Sequence, residues 1–127
     1  MYRTLLSAIS ALIIVPVLGQ TPYEHVWAER VGGQNDNEKL WRMAVDESGN
    51  VFVTGSVRGT FSSGNVSVTS VGGSDIVLLK YSSDGELLWG RTAGGPMNDA
   101  AFGVDTDKDG NVYITGAYSG LAVFGDT

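Results

Sequence analysis

Apolar and polar residues follow two different rhythms along this chain. Leu5 to Leu18 is an apolar run broken only by Ser7, Ser10 and Pro16, and the positive start Met1-Tyr2-Arg3 precedes it. As a helix such a run would rise about 21 Å, short of the roughly 30 Å hydrocarbon core of a bilayer. It closes on Val17-Leu18-Gly19, with compact residues placed for a cut after Gly19. That is the layout of a secretory signal peptide. Residues 1–19 are therefore expected to be a removable signal and 20–26 a short N-terminal segment, with no transmembrane span in the mature chain.

After residue 26 the rhythm changes, and no segment carries a helical period. Short runs of β-branched and aromatic residues alternate with clusters of Gly, Asp and Ser, which predicts strands joined by tight turns. Leu40 to Val45 and Asn50 to Gly55 flank the turn Asp46-Glu47-Ser48-Gly49. Asp75 to Tyr81 is apolar on both faces and is expected to be an internal strand. Asp84-Gly85 then marks a hairpin into Glu86 to Gly90. Between them, the Gly-rich stretch from Arg58 to Ser74 reads as a long connection holding a short strand at Val66 to Thr69.

The pattern repeats. Trp27…Gly32-Gly33 recurs as Trp89…Gly94-Gly95 at an offset of 62, and residues 41–66 match 102–127 without a gap at an offset of 61. Asp46, Gly49, Asn50, Val51, Thr54, Gly55, Gly59 and Gly64 have identical partners in Asp107, Gly110, Asn111, Val112, Thr115, Gly116, Gly120 and Gly125. Trp41 is matched by Phe102 and Phe52 by Tyr113. Matched glycines imply a repeated backbone geometry, either a positive φ or a close approach of strands. Four antiparallel strands per repeat of this length describe the blades of a β-propeller.

The segment Asp107-Lys108-Asp109-Gly110-Asn111-Val112-Tyr113-Ile114-Thr115-Gly116 resembles the SBBP β-propeller repeat. So does its partner Val45 to Gly55, and Gly72-Gly73-Ser74-Asp75-Ile76-Val77-Leu78-Leu79-Lys80-Tyr81 is similar to that family's third strand. The resemblance covers residues 27–127. It implies bladed propellers in exported, often surface-associated proteins, and it carries over no catalytic residues. The expected fold is all-β, with four-stranded antiparallel blades in about 1.6 repeats: repeat 1 over 27–88 and a partial repeat 2 over 89–127. A ring of four to eight such blades needs roughly 240 to 490 residues. The ring is thus incomplete, and its remaining blades are expected in a longer chain or from oligomerisation.

Composition narrows the chemistry. Eight Lys and Arg against 14 Asp and Glu give a net charge of −6, so a nucleic-acid backbone is not an expected partner. With no Cys there is no disulfide framework and no thiolate site. The lone His25 lies outside the repeat, and Glu24, Glu29, Glu38, Glu47 and Glu86 show no repeatable pairing. No catalytic set emerges.

Two candidate sites remain. Asp105, Asp107 and Asp109, followed by Gly110, have the alternate spacing with which carboxylates wrap a Ca²⁺ ion. The seventh residue after Asp109 is Gly116, where a calcium loop of the helical type needs Glu, so a polar hairpin turn is the competing reading. Asn65-Val66-Ser67 is an N-glycosylation sequon. Trp27, Trp41 and Trp89 could stack on sugars, but their repeat matching favours packing between blades. The expected function is a secreted or surface-exposed, non-catalytic interaction or scaffold module with a protein or glycan partner. The alternative is the N-terminal piece of an extracellular propeller enzyme whose active site lies in other blades.

Overall fold

The computed structural model describes residues 27–28, 31 and 38–125; the expected signal peptide (1–19), the 20–26 segment and Gly32-Gly33 lie outside them. Six strands follow one another: β1 (Lys39–Val45), β2 (Val51–Ser63), β3 (Val66–Tyr81), β4 (Leu87–Ala93), β5 (Ala100–Thr106) and β6 (Val112–Ala117). The first four pair in chain order as one antiparallel sheet, and β5 and β6 form a second. A four-stranded meander followed by the start of another is a propeller-like arrangement. Among the described residues there is no helix, as the sequence led us to expect.

The region from Arg58 to Ser74 departs from expectation. It is not a connection: β2 runs to Ser63, β3 starts at Val66, and the two arms pair from Val51↔Tyr81 to Ser63↔Val66. Period-two burial explains the extension. Phe61 and Val68 point into the core, exposed by only 2% and 5%, while Thr60–Thr69 and Ser62–Ser67 pair their hydroxyls on the other face at 2.9 and 3.0 Å. The glycines that suggested a loop serve other ends. Gly64, at φ 56°, makes the turn with Asn65, and Gly59, at φ 81°, sits where the register breaks between Arg58 and Thr60.

Three hairpins share one turn. In the first, the Gly49 N–H donates to the Asp46 carbonyl and the Asp46 N–H to the Asn50 carbonyl, both at 3.0 Å. Ser82 to Glu86 and Asp107 to Asn111 repeat both bonds. Each loop therefore has three residues ending in a left-handed glycine: Gly49 at φ 80°, Gly85 at 88° and Gly110 at 83°. The first residue's side chain completes the turn. Asp46 and Asp107 accept the N–H groups two and four residues on, and Ser82 Oγ accepts those of Asp84 and Glu86.

The core lies on one face of the four-stranded sheet. Val51, Val57, Phe61, Val68, Val77, Leu79 and Tyr81 are buried there, with Trp27, Val31, Leu40 and Leu87 packed against them. Each such side chain contributes about 1.5–3 kcal/mol on removal from water. As expected, β3 is internal, flanked by β2 and β4.

Candidate functional site

The second sheet stacks on the first through repeat-equivalent residues. Trp41 is the unpaired residue of a bulge in β1, because Leu40 pairs with Gly55 and Arg42 with Thr54. Phe102 holds the same place in β5, between Ala101↔Gly116 and Gly103↔Thr115. The two bulged rings meet at 5.4 Å between centroids. Opposite each bulge a glycine admits the close approach. A Cβ at Gly55 would collide with the Lys39 carbonyl oxygen, and one at Gly116 with that of Ala100.

The other tryptophans divide. Trp27 stacks on Tyr81 at 5.8 Å and donates from Nε1 to the Ser83 carbonyl at 3.0 Å. Its ring would meet a Cβ on Gly85 at 2.6 Å, so that glycine serves both the turn and the aromatic contact. Trp89 instead stays within its own sheet, with its edge toward Phe52 at 6.1 Å and Arg91 over its ring. The packing reading thus fits Trp41 across sheets and Trp27 against the sheet it precedes.

Asp105, Asp107 and Asp109 sit at the end of β5 and in the turn after it. Asp107 Oδ1 accepts the Asp109 and Asn111 N–H groups at 2.9 Å, while Oδ2 accepts from Asn111 Nδ2 at 2.8 Å and from the Tyr113 hydroxyl at 2.9 Å. The Asn111 side-chain bond comes first among the causes that hold its carboxyl down to about 2. Bonding to that carboxylate pushes the Tyr113 phenol up. Asp105 accepts the next N–H, of Thr106, and Asp109 pairs with Lys108. Among the described residues no three acidic or His side chains gather in a group able to hold a metal. In the first repeat Asp46 makes the same bonds to Ser48 and Asn50, and its carboxyl is also lowered, chiefly by Asn50. Asn65 stands exposed at the tip of the β2–β3 hairpin.

Two buried acidic side chains escaped the sequence reading. Asp75 is fully buried and Asp99 is exposed by only 1%. A Cβ on Gly94 would lie 2.6 Å from Asp99 Oδ2 and 2.8 Å from Asp75 Oδ1, so both acids share the space above that glycine. Asp99 joins three segments. It accepts the N–H of Gly95 at 2.8 Å and of Ser119 at 2.7 Å, and its own N–H donates to the Ser74 carbonyl at 2.6 Å. Asp75 Oδ2 accepts the Val71 N–H, which closes the excursion before Ser74. The available signal was repeat position: Asp99 falls on the acidic Glu38 at the 61-residue offset, four residues after Gly95.

The knot at Gly94 also draws residues 118–125 back across the first sheet. Gly94 and Val123 exchange both backbone bonds, at 3.1 and 2.8 Å. Between this return and the sheet lies an open groove of about 420 Å³, lined by Ile76, Leu78 and Arg91 on one side and Ile114 and Phe124 on the other. Its outer boundary is β6, whose far edge has no neighbouring strand among the described residues. An open groove lined by both apolar side chains and the polar Arg91 and Thr92 can receive an extended chain.

No family model matches the chain. It is similar to an uncharacterized WD repeat-containing protein of Acanthamoeba polyphaga mimivirus, 24% identical over 116 residues. The match covers 77% of this chain and 8% of that protein. This weak similarity supports a propeller-type repeat in general terms.

Proposed function

We propose that this chain is an exported, non-catalytic propeller module of the SBBP type that binds a protein or glycan partner at its inter-sheet groove. The observation that carries the reading is the repeated blade. One four-stranded meander is followed, 61 residues on, by strands with the same bulge, the same turn and the same glycine. Such a scaffold fixes its faces rigidly and leaves the groove beside β6 open. The mimiviral relative carries WD repeats in its name, and propellers of that general kind present faces and grooves to partners. The step from shared architecture to shared role is an analogy of fold.

The test is expression with the chain's own first 19 residues, followed by photo-crosslinking from the groove. Export should give a product starting at Gln20, and a photoreactive residue at Ile114 or Phe124 should capture a discrete partner. Retention inside the cell with Met1 intact would remove the exported part. Failure of both positions to capture a protein, with no signal on a glycan array, would remove the binding part.

A further inference from the structure

The β2–β3 arm is built differently from the sheet it leaves. β1 pairs with β2 from Val51 to Ser56, and β4 pairs with β3 from Ile76 to Tyr81. Beyond those limits, from Val57↔Asp75 to Ser63↔Val66, the arm is a two-stranded ribbon with no third strand among the described residues. One face of it is closed. Phe61 and Val68 enter the core, and a Cβ on Gly90 of β4 would lie 2.7 Å from Val68 Cγ1, so the ribbon lies down on the sheet. The other face carries the exposed, paired hydroxyls of Thr60, Ser62, Ser67 and Thr69. A free strand edge is a template for pairing with other chains, which Lys, Pro or other charged residues ordinarily blunt. From Gly59 to Ser74 this chain has no charged residue and no Pro.

At the tip stands Asn65. With Gly64 it forms a two-residue loop between the paired Ser63 and Val66. The described asparagines differ in what their side chains do. Asn50 and Asn111 donate from Nδ2 to Asp46 and Asp107 at 2.8 Å, and Asn98 Oδ1 accepts the Ser74 N–H at 3.0 Å. Asn65 is exposed, and its amide makes no hydrogen bond among the described residues. It is also the one asparagine of the sequence with Ser or Thr two residues on, in Asn65-Val66-Ser67.

We propose, resting on the export reading above, that Asn65 carries an N-linked glycan and that this glycan shields the free edges of the ribbon. In the transfer, Asn65 Nδ2 attacks the anomeric carbon of a polyprenyl-pyrophosphate-linked oligosaccharide. The carbon–nitrogen bond forms and the bond from that carbon to the phosphate oxygen breaks. The amide gives up one proton, and the polyprenyl pyrophosphate leaves with the electron pair. A secretory transferase does this chemistry, and the chain supplies the acceptor amide and the Ser67 hydroxyl of the sequon. In the folded ribbon that hydroxyl pairs with Ser62 at 3.0 Å, so transfer precedes closure of the hairpin. The product is a bulky, hydrated group at an exposed tip, where no packed side chain has to move.

The test uses the full chain in a eukaryotic secretory line, behind its own first 19 residues and, in parallel, behind an unrelated cleavable signal. Release of the glycan by an amidase in isotopically labelled water should leave labelled aspartate at residue 65 on peptide mass mapping. Ser67→Ala should abolish the modification and Ser67→Thr should keep it. Asn65→Gln should melt as the glycosylated chain does but aggregate several-fold faster at equal concentration. A secreted chain unmodified at Asn65 overturns the proposal. Modification with equal aggregation rates for the glycosylated chain and Asn65→Gln overturns the shielding role. Retention behind the chain's own signal, with Asn65 modified behind the unrelated one, would remove the export reading and leave the acceptor site standing.

Discussion

The β1–β2 and β5–β6 hairpins are repeat equivalents with the same local geometry in opposite surroundings. Phe52 is 2% exposed and its equivalent Tyr113 is 57% exposed; Val57 is fully buried while Tyr118, its counterpart, is 62% exposed. The difference is not in β5 and β6 themselves, whose bulge, turn and glycine reproduce those of β1 and β2. It lies in what stands beside them. β2 has β3 along its edge, and Phe52, Thr54 and Ser56 are buried there, whereas β6 has no second neighbouring strand among the described residues. Local geometry is thus encoded within a hairpin, while burial is a property of the neighbours.

The largest test of that contrast removes a ring from each sheet. Phe52→Ala should cost about 3–5 kcal/mol, from lost transfer energy and the cavity left behind. Tyr113→Ala should stay within about 1 kcal/mol. Chemical denaturation of both variants checks this, and equal costs would mean that β6 is as well covered as β2.

Next come the glycines at the bulges. Gly55→Ala is expected to lower global stability by about 2–3 kcal/mol, because the new methyl meets the Lys39 carbonyl within the four-stranded sheet. The same change at Gly116 meets the Ala100 carbonyl. There it should open only β5–β6, seen as faster amide exchange over residues 100–117 with little change in the main unfolding transition.

A smaller effect separates the matched threonines. Thr54→Val removes a buried hydroxyl bonded to the Val77 carbonyl and should cost about 1 kcal/mol. Thr115→Val, at an exposed hydroxyl, should stay within about 0.5 kcal/mol.

The mildest test is titration. The folded Asp107 carboxyl is held down to about 2 against an ordinary 3.8. Its charged form is therefore favoured by folding. That contribution is complete above the ordinary value and is lost as pH falls from there toward about 2. Carboxyl NMR should place the Asp107 midpoint near 2 and Asp46 also below the usual range. With Asp107→Asn, the Tyr113 phenol should return downward toward its ordinary value, since that carboxylate is the first cause of its rise.

Much of this was legible before any coordinates. Gly49 and Gly110 stand at left-handed turn positions, and Gly55 and Gly116 at close approaches, which are the two uses that matched glycines predict. Asp46 and Asp107 close their turns as paired residues should. The β2–β3 arm was misread because Gly59, Gly64, Gly72 and Gly73 imitate a loop in composition, while the alternation of Phe61 and Val68 needed its cross-strand partners to declare itself. Asp75 was hidden for a related reason: a single acid beside an apolar strand reads as a strand end, and only the fold brings Asp99 and Gly94 to it.

By itself the sequence determined the all-β class, the 61-residue repeat and the turns that follow Val45, Tyr81 and Thr106. These depend on φ preferences and on side chains reaching two to four residues along the chain, and such information is local. Tertiary structure alone decided which copy is buried, how β2 and β3 extend past their glycines, and where Asp75 and Asp99 meet. Those outcomes depend on contacts between residues distant in the chain, which no single segment encodes.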